Sequence, residues 1–549
     1  MRRFQDGALF QDDLTNALLE TGYIPHGFRA LYWLLSNAID PVQAAELMPL
    51  VLVPLSAWLL YRIVRVHTDW WPAAWLGTIL FLLPLDILRF SGGHQRAFFH
   101  PIVLLTVYLL LRRRVAFAAL VPPLGVLFYP SAALVALGIL AISCLNRERR
   151  RWLDVDRALW TAASTALVAA AALVPAWIAG YSPEIITRAD AEQYPDFGPE
   201  SKVDYFGGTT LDYLSGNLSG FNLQWSGGVL VCAALVLLAV RPRNARLLRT
   251  EVWAMAGASL LLWALAQAVL FDLYLPQRYT YALIPFCAIL IAVAWRPTWE
   301  SLARHRPSPL LWAVPGALAG LVLAFLALTV FPLGLRLSPG EAGSLFEDRV
   351  WWFVGALVIG LLLALAAGRR VAWVAGAATA AAVLAGTVGA AGSDYDDGFE
   401  CRSLPLLRYF ETLPKDAIIA GSPIRLDCVP IVSERAVVVN NKLFQVWEKN
   451  YWRLSRERMF ASIDATFGGD VEDVLALRER YGADYLLAEN RLRLGGWGGD
   501  QPFTGEVRRL LDTVDTPAVE LLPEECETFS STRFRVFDLS CVEERVGSR

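Results

Sequence analysis

The stretch VAFAALVPPLGVLFYPSAALVALGILAISCL, residues 115–145, decides how this chain is organised. It is apolar from end to end, so it reads as membrane-embedded. It is too long for a single crossing, since ~20 residues of helix span a hydrocarbon core of ~30 Å. Pro122, Pro123 and Pro130 interrupt it. Proline inside such helices is tolerated where neighbouring helices satisfy the carbonyl it frees. The segment therefore predicts two short passes with a turn near 128–131.

Further apolar runs fall at 44–65, 70–89, 97–111, 157–180, 224–240, 251–271, 274–295, 309–331, 351–367 and 371–391. With 115–145 counted twice they predict about 12 spans. Arginine-rich clusters at 62–65, 112–114, 146–157, 241–249, 296–306 and 369–370 alternate with loops at 90–96, 181–223, 272–274 and 332–350, most of them short or acidic. Cytoplasmic loops carry the Arg/Lys excess, so the first set is assigned to the cytoplasm and the second to the outside. The alternation closes only if 115–145 crosses twice, which places 1–43 and 392–549 outside. Nothing before residue 44 is apolar enough to anchor the chain, so the expectation is a further helix ahead of Met1 and about 13 spans in the whole protein.

Of 549 residues, 55% are hydrophobic and 18% charged, and 20 are Trp. Mean hydropathy is +0.42, above that of a water-soluble globule, and the aromatic richness suits membrane–water interfaces. A net charge of −3 without a basic stripe outside the membrane flanks excludes a nucleic-acid partner. The Arg- and Ala-rich, Lys-poor composition fits a bacterial chain.

From residue 392 the apolar runs stop. Helices are predicted at 403–413, ending before Pro414, and at 451–467 and 471–481; strands are predicted at 417–421, 436–439, 484–488 and 534–539. The expected fold is thus a polytopic all-α membrane domain plus a small C-terminal α/β extracytoplasmic domain, divided as 1–43, 44–391 and 392–549. Cys144, Cys232 and Cys287 lie in apolar segments, as small core residues do. Cys401, Cys428, Cys526 and Cys541 fall in the tail, as two disulfides with the pairing open or as four buried thiols.

Three groups of polar residues fall outside. The first is Asp6, Asp12 and Asp13, where one acid can cap the following helix and another can take a proton from an attacking hydroxyl; both can equally serve as plain caps. The second is DILRFSGGHQRAFFH, residues 86–100. There Asp86 and Arg89 can pair, Gly92 and Gly93 admit a ligand close to the backbone, and His94, Gln95 and Arg96 offer donors suited to phosphate. The bland alternative is a wet interfacial turn. His94 and His100 fall on different helix faces with no third ligand near, which argues against a metal. The third is LYLPQRYTY, residues 273–281, where Arg278 at the outer boundary suits a lipid-linked phosphate or serves as a snorkelling anchor. The loop 181–223, with Asp190, Glu192, Tyr194 and Asp196, can cover a site and stack on sugar, or be an ordinary loop. No Ser-His-Asp set, P-loop or zinc motif occurs, and the cytoplasmic loops are too short for an ATP-using domain, so chemistry outside requires an already activated donor.

The order Asp12-Asp13, helix 14–20, amphipathic 25–32 and span from 44 resembles the GT-C superfamily of integral membrane glycosyltransferases. LPQRYTYALIPF resembles the Pro/Arg/Tyr motif opening a late helix in several such families, and the layout is similar to the oligosaccharyltransferase catalytic subunit. LRYFETLPKDAIIAG and RERYGADYLLAEN are similar to outer domains of bacterial GT-C-like proteins. The second outer loop has GGHQR in place of paired acids, and the tail has no WWDYG. The resemblance implies transfer of a sugar from a polyprenyl-phosphate donor to a cell-envelope acceptor by a multi-pass protein of the cell membrane. Asp12, Asp13 or Asp6 would act as base, and Arg278, Arg96, His94 and Tyr279 would bind the donor phosphate. No motif names a cofactor; the resemblance admits a divalent metal. The alternatives are a transporter or flippase for a lipid-linked or anionic solute, and a non-catalytic scaffold of the same fold.

Overall fold

A computed structural model describes residues 2–11, 13–19, 24–69, 71–82, 94–144, 157–178, 185–197, 226–240, 243–269, 271, 273, 275–294, 297, 404–442, 444, 448–490 and 503–547. The N-terminal helices are α1 (Leu14–Leu18), α2 (His26–Ser36) and α3 (Pro41–His67). Asp40 caps α3 by accepting from the Val42 N–H at 2.8 Å, with Pro41 at the first helical position. At ~1.5 Å per residue α3 reaches ~40 Å, enough to cross a bilayer. It is followed by α4 (Trp71–Leu82), α5 (Phe99–Leu111), α6 (Val115–Phe128), α7 (Pro130–Ser143), α8 (Arg157–Ile178), α9 (Arg188–Ala191), α10 (Ser226–Val240), α11 (Thr250–Ala268) and α12 (Leu283–Ala294).

The 115–145 stretch divides where its prolines predict. Tyr129 is extended at φ −155° and ψ 98°, and Pro130 starts the next helix. The two helices fold back on each other, and a Cβ on Gly125 would come within 3.0 Å of the Ala133 Cβ. Close approach recurs between α7 and α11, where a Cβ on Gly138 would meet the Ala258 Cβ at 2.8 Å. Small residues bring helices together this way where no hydrophobic force separates protein from lipid.

Among the described residues, Pro41–His67, Thr250–Ala268 and the continuous run Pro276–Ala294 are long and apolar enough to cross a membrane, and shorter apolar helices accompany them. The predicted runs 309–331, 351–367 and 371–391 lie outside the described residues, so the count of about 12 stays an expectation. On α3 the side chains of Leu47, Val51, Leu55 and Trp58 form one exposed apolar stripe. Facing water they would forfeit roughly 1.5–3 kcal/mol each of burial; against acyl chains they fit. The helix α12 has every residue buried, and it sits at the centre of the bundle.

The C-terminal part has α13 (Leu404–Thr412), α14 (Lys449–Phe467), α15 (Val471–Tyr481), α16 (Thr504–Thr513) and α17 (Leu539–Gly547), with strands β1 (Ile418–Gly421), β2 (Ala436–Val437), β3 (Tyr485–Glu489), β4 (Glu527–Ser530) and β5 (Phe534–Asp538). The sheet order is β2-β1-β3-β5-β4, with β1 parallel to β2 and β3 and the last two strands antiparallel. The predicted helices and strands are all present; β4, α16 and α17 are additions. Gly482, at φ +67°, ends α15 in the left-handed conformation that costs glycine little. Cys526 and Cys541 form a disulfide between the start of β4 and α17, and Cys428 is also disulfide-bonded. Cys144 and Cys287 are buried thiols outside any disulfide, as predicted for core residues.

The N-terminal segment and the loop 185–197 both dock on this domain. Arg2 bridges Asp40 at 2.6 Å and Glu434 at 2.5 Å. Arg456 of α14 holds Asp196 at 2.9 Å. Ile186, Phe197, Phe271 and Leu275 enter one apolar cluster with Val439, Trp452 and Met459. Segments assigned to a common side of the bilayer by their charge pattern are therefore together.

Candidate functional site

His94 is extended at φ −71° and ψ 145° and opens the short turn Gln95–Phe98 that leads into α5, with Arg96 inside it. Arg278 lies in a second short turn, Pro276–Ala282, that leads into α12. Both turns are 3₁₀, and three residues per turn puts 278 and 281 on one side and 279 on another. The Arg278 Nη1 donates to the Tyr281 hydroxyl, and the guanidinium carbon is 5.8 Å from the Tyr281 ring centre. The Tyr281 ring meets Phe99 edge-to-face at 5.4 Å. That aromatic step seats the Arg278 turn against the His94 turn. Phe98 stacks on Phe128 at 4.8 Å below them.

The charges show what these turns assemble. The His94 imidazole is pushed down to about 3, first by burial and then by the charges of Arg96, Arg278 and Lys442. The residue as a whole is nevertheless exposed. A group both reached by water and surrounded by protein lines a concavity, and burial acts against its charged form. At neutral pH His94 is therefore an uncharged ring with one donor and one acceptor, within the electrostatic reach of three cations. Such a set suits a phosphate.

Lys442 comes from the C-terminal domain, and no motif in the sequence marks it. Its backbone N–H donates to Asp427 Oδ1 at 2.8 Å, which fixes the turn after β2. In the sheet, β1 is flanked by β2 and β3, so the chain leaves it toward opposite sides. Ligands favour such switch points at the carboxyl ends of parallel strands. The buried polar side chains gathered there include Ser422, Asp427, Asn440 and Glu489. Glu489 pairs with Arg425 and with Arg533, each at 3.1 Å. The one signal available in the sequence is AVVVNNK, a strand run ending in three polar residues.

The N-terminal acids separate. Asp6 pairs with Lys415 at 2.5 Å on the surface, and that ammonium holds its carboxyl below the usual range. Asp12 lies outside the described residues. Asp13 is buried and caps α1, with Oδ1 accepting from the Asn16 N–H at 2.7 Å. Burial, the largest influence, raises its carboxyl above the usual range, against the opposing pull of the Asn16, Val437 and Thr15 backbone N–H groups and of the Arg458 charge. The Val438 N–H bonds Ile419 O at 3.0 Å, so by strand alternation the Val437 N–H points to the free edge of β2, where Asp13 takes it. Val437 and Lys442 are five residues apart, at most ~18 Å of extended chain. The carboxylate and the cations thus flank one segment of the C-terminal domain.

Tyr279 does not join the cations. It is buried, and its hydroxyl is engaged by Leu273 O at 2.6 Å and by Ser131. Its backbone carbonyl accepts from Ser259 Oγ at 2.5 Å. It holds the turn to the bundle. His100 is buried between Phe81 and Phe99. Asp86, Arg89, Gly92 and Gly93 lie outside the described residues. Gln277, beside Arg278, is 5% exposed, and its Oε1 has no donor among the described residues. The described side chains here, three cations and one imidazole, do not by themselves make a divalent-metal site. Among the described residues no three His, Cys, Asp or Glu are placed to hold a metal elsewhere.

No protein-family model and no curated protein matches the chain. Solved structures do. ArnT from Cupriavidus metallidurans bound to undecaprenyl phosphate is 14% identical, with 97% of this chain and 93% of that one covered and a TM-score of 0.49. The apo state of the same protein gives 14% identity, the same coverage and a TM-score of 0.45. The Archaeoglobus fulgidus oligosaccharyltransferase tethered to an acceptor peptide is 11% identical, with 88% of this chain and 64% of that one covered and a TM-score of 0.42. At these scores the likeness assigns neither a role to the chain nor a residue of the site.

Proposed function

We propose that the protein is a membrane glycosyltransferase that moves a sugar from a polyprenyl-phosphate donor to an acceptor on the non-cytoplasmic side. The observation that carries this reading is the convergence of Arg96, Arg278 and Lys442 on an uncharged His94 where apolar helices meet the C-terminal domain. A lipid-linked phosphate needs both surroundings: hydrocarbon for the chain and fixed cations for the head. In the reaction an acceptor hydroxyl oxygen attacks the anomeric carbon. The bond from that carbon to the phosphate oxygen breaks, and its electron pair stays on the phosphate. The three cations stabilise that charge as it develops, with the two arginines offering forked donors. The acceptor proton goes to a carboxylate. The carboxylate of Asp13 is occupied by backbone N–H groups, so the role falls to its neighbour Asp12. A disulfide-bonded tail supports an oxidising compartment for residues 392–549.

The test is the purified protein in lipid, supplied with a panel of radiolabelled polyprenyl-phosphate sugars. The expected result is protein-dependent release or transfer of one sugar. Loss of a preorganised charge at a transition state costs roughly 100- to 1000-fold, and Arg278→Ala is expected in that range. Asp12→Asn should abolish turnover while leaving donor binding intact. Movement of the lipid across the bilayer without any transfer would instead establish the transporter reading.

A further inference from the structure

A second cavity of about 600 Å³ opens between the loop 185–197 and helices α14 and α15. It shares no residue with the cationic group at His94. Its volume lies in the range of small-ligand sites, roughly 300–1,000 Å³. One wall is aromatic: Trp452 and Tyr194 meet edge-to-face at 4.6 Å, with Phe460 and Tyr481 alongside. Trp452 is only 5% exposed, yet its indole N–H has no acceptor among the described residues. Tyr194 stays 37% exposed.

The remaining wall is charged but not matched. Arg456 is committed to the scaffold, pairing with Asp196 at 2.9 Å and covering the Phe460 ring at 4.6 Å. Arg453 is exposed at the rim and makes no ion pair among the described residues. Of the charged side chains that line the cleft, Lys449, Arg453, Arg456 and Arg480 are basic and Glu457, Asp464 and Asp473 are acidic, so the balance of its lining leans positive by one.

These features select among ligand classes. An acyl chain would leave the charged wall without partners. A peptide would be read by a sheet edge or an apolar groove, and the cleft lies on helix faces. A pyranose presents an apolar C–H face, which an aromatic ring covers, and a belt of hydroxyls, which forked guanidinium and carboxylate groups satisfy. The rim arginine adds a place for an acidic substituent. We propose that this cleft binds an acidic saccharide, as the part of the acceptor that lies away from the reacting centre. Its assignment to the acceptor rests on the glycosyltransferase reading; binding of the saccharide does not.

The experiment uses the intact protein in lipid nanodiscs on an array of neutral and acidic oligosaccharides, followed by titration of those retained. Tyr194→Ala and Arg453→Ala change exposed rim residues, and Glu544→Ala on α17 is the control. Acidic glycans should be retained, with at least a tenfold weaker Kd in both rim variants and no change in the control. Undecaprenyl phosphate binding, measured on the same samples, should be unaltered in all three. Retention of no acidic glycan, retention of neutral glycans equally well, or equal affinity in the rim variants would overturn the proposal. Failure of undecaprenyl phosphate to bind would count against the donor site alone, because the glycan readout is independent of it.

Discussion

Replacing Asp13 separates a structural carboxylate from a catalytic one. In Asp13→Ala, α1 loses its cap, worth about 1 kcal/mol. The Val437 N–H, on a residue only 3% exposed, loses the carboxylate that interacts with it, at a further cost of up to about 1–3 kcal/mol. Together these weaken the docking of the N-terminal segment by about 2–4 kcal/mol, which at 1.4 kcal/mol per decade is roughly 30- to 700-fold. Asp13→Asn is a milder change. Asparagine caps helices as well as aspartate does, and its carbonyl can still accept from Val437; what it loses is the charge facing Arg458. The assay is hydrogen exchange followed by mass spectrometry on peptides spanning 13–19 and 436–442, alongside transfer activity. The alanine variant should exchange faster in both peptides by the stated factor, and the asparagine variant should stay close to wild type in exchange and in turnover. If Asp13→Asn abolished transfer with exchange unchanged, Asp13 would be the base and the structural assignment would be wrong.

Lys442→Met should weaken undecaprenyl phosphate binding by roughly fivefold, since an exposed ammonium contributes about 1 kcal/mol. Arg278→Met should cost more, about 1.5–3 kcal/mol for a hydrogen-bonded charge. Equal losses measured by titration in nanodiscs would contradict the ranking. The disulfide Cys526–Cys541 closes a loop of sequence separation 15, and its removal by Cys526→Ser with Cys541→Ser should cost about 3 kcal/mol. That loss would appear as a lower Tm and faster proteolysis within 503–547, with the His94 turn unaffected.

What is legible in the sequence follows from where each signal lies along the chain. The break at Tyr129 can be read because Pro122, Pro123 and Pro130 are local. Arg96 and Arg278 are distant in sequence, yet the alternation of basic clusters along the chain is enough to assign both loops to one side. Lys442 is not legible, because its place depends on strand order, which periodicity does not encode. Tyr279 misleads for a simpler reason: in an α-helix or a loop it neighbours Arg278, but three residues per turn sends it the other way. Strand β4 escapes because its side chains alternate between half-buried and exposed, leaving only Phe529 as an apolar marker. At the N-terminus the sequence allows both roles for the acids, and the hydrogen bonds of Asp13 decide one of them.

The hold of Asp13 on Val437 bears on how the chain is made. A border strand with open amides is a template on which another copy can add itself, and a domain that carries one is at risk until that border is shielded. Here the shield belongs to a part of the polypeptide that leaves the ribosome before the strand it covers. By the time β2 forms, its cover has already been made, so the C-terminal domain closes onto a partner from its own chain before it can recruit a stranger.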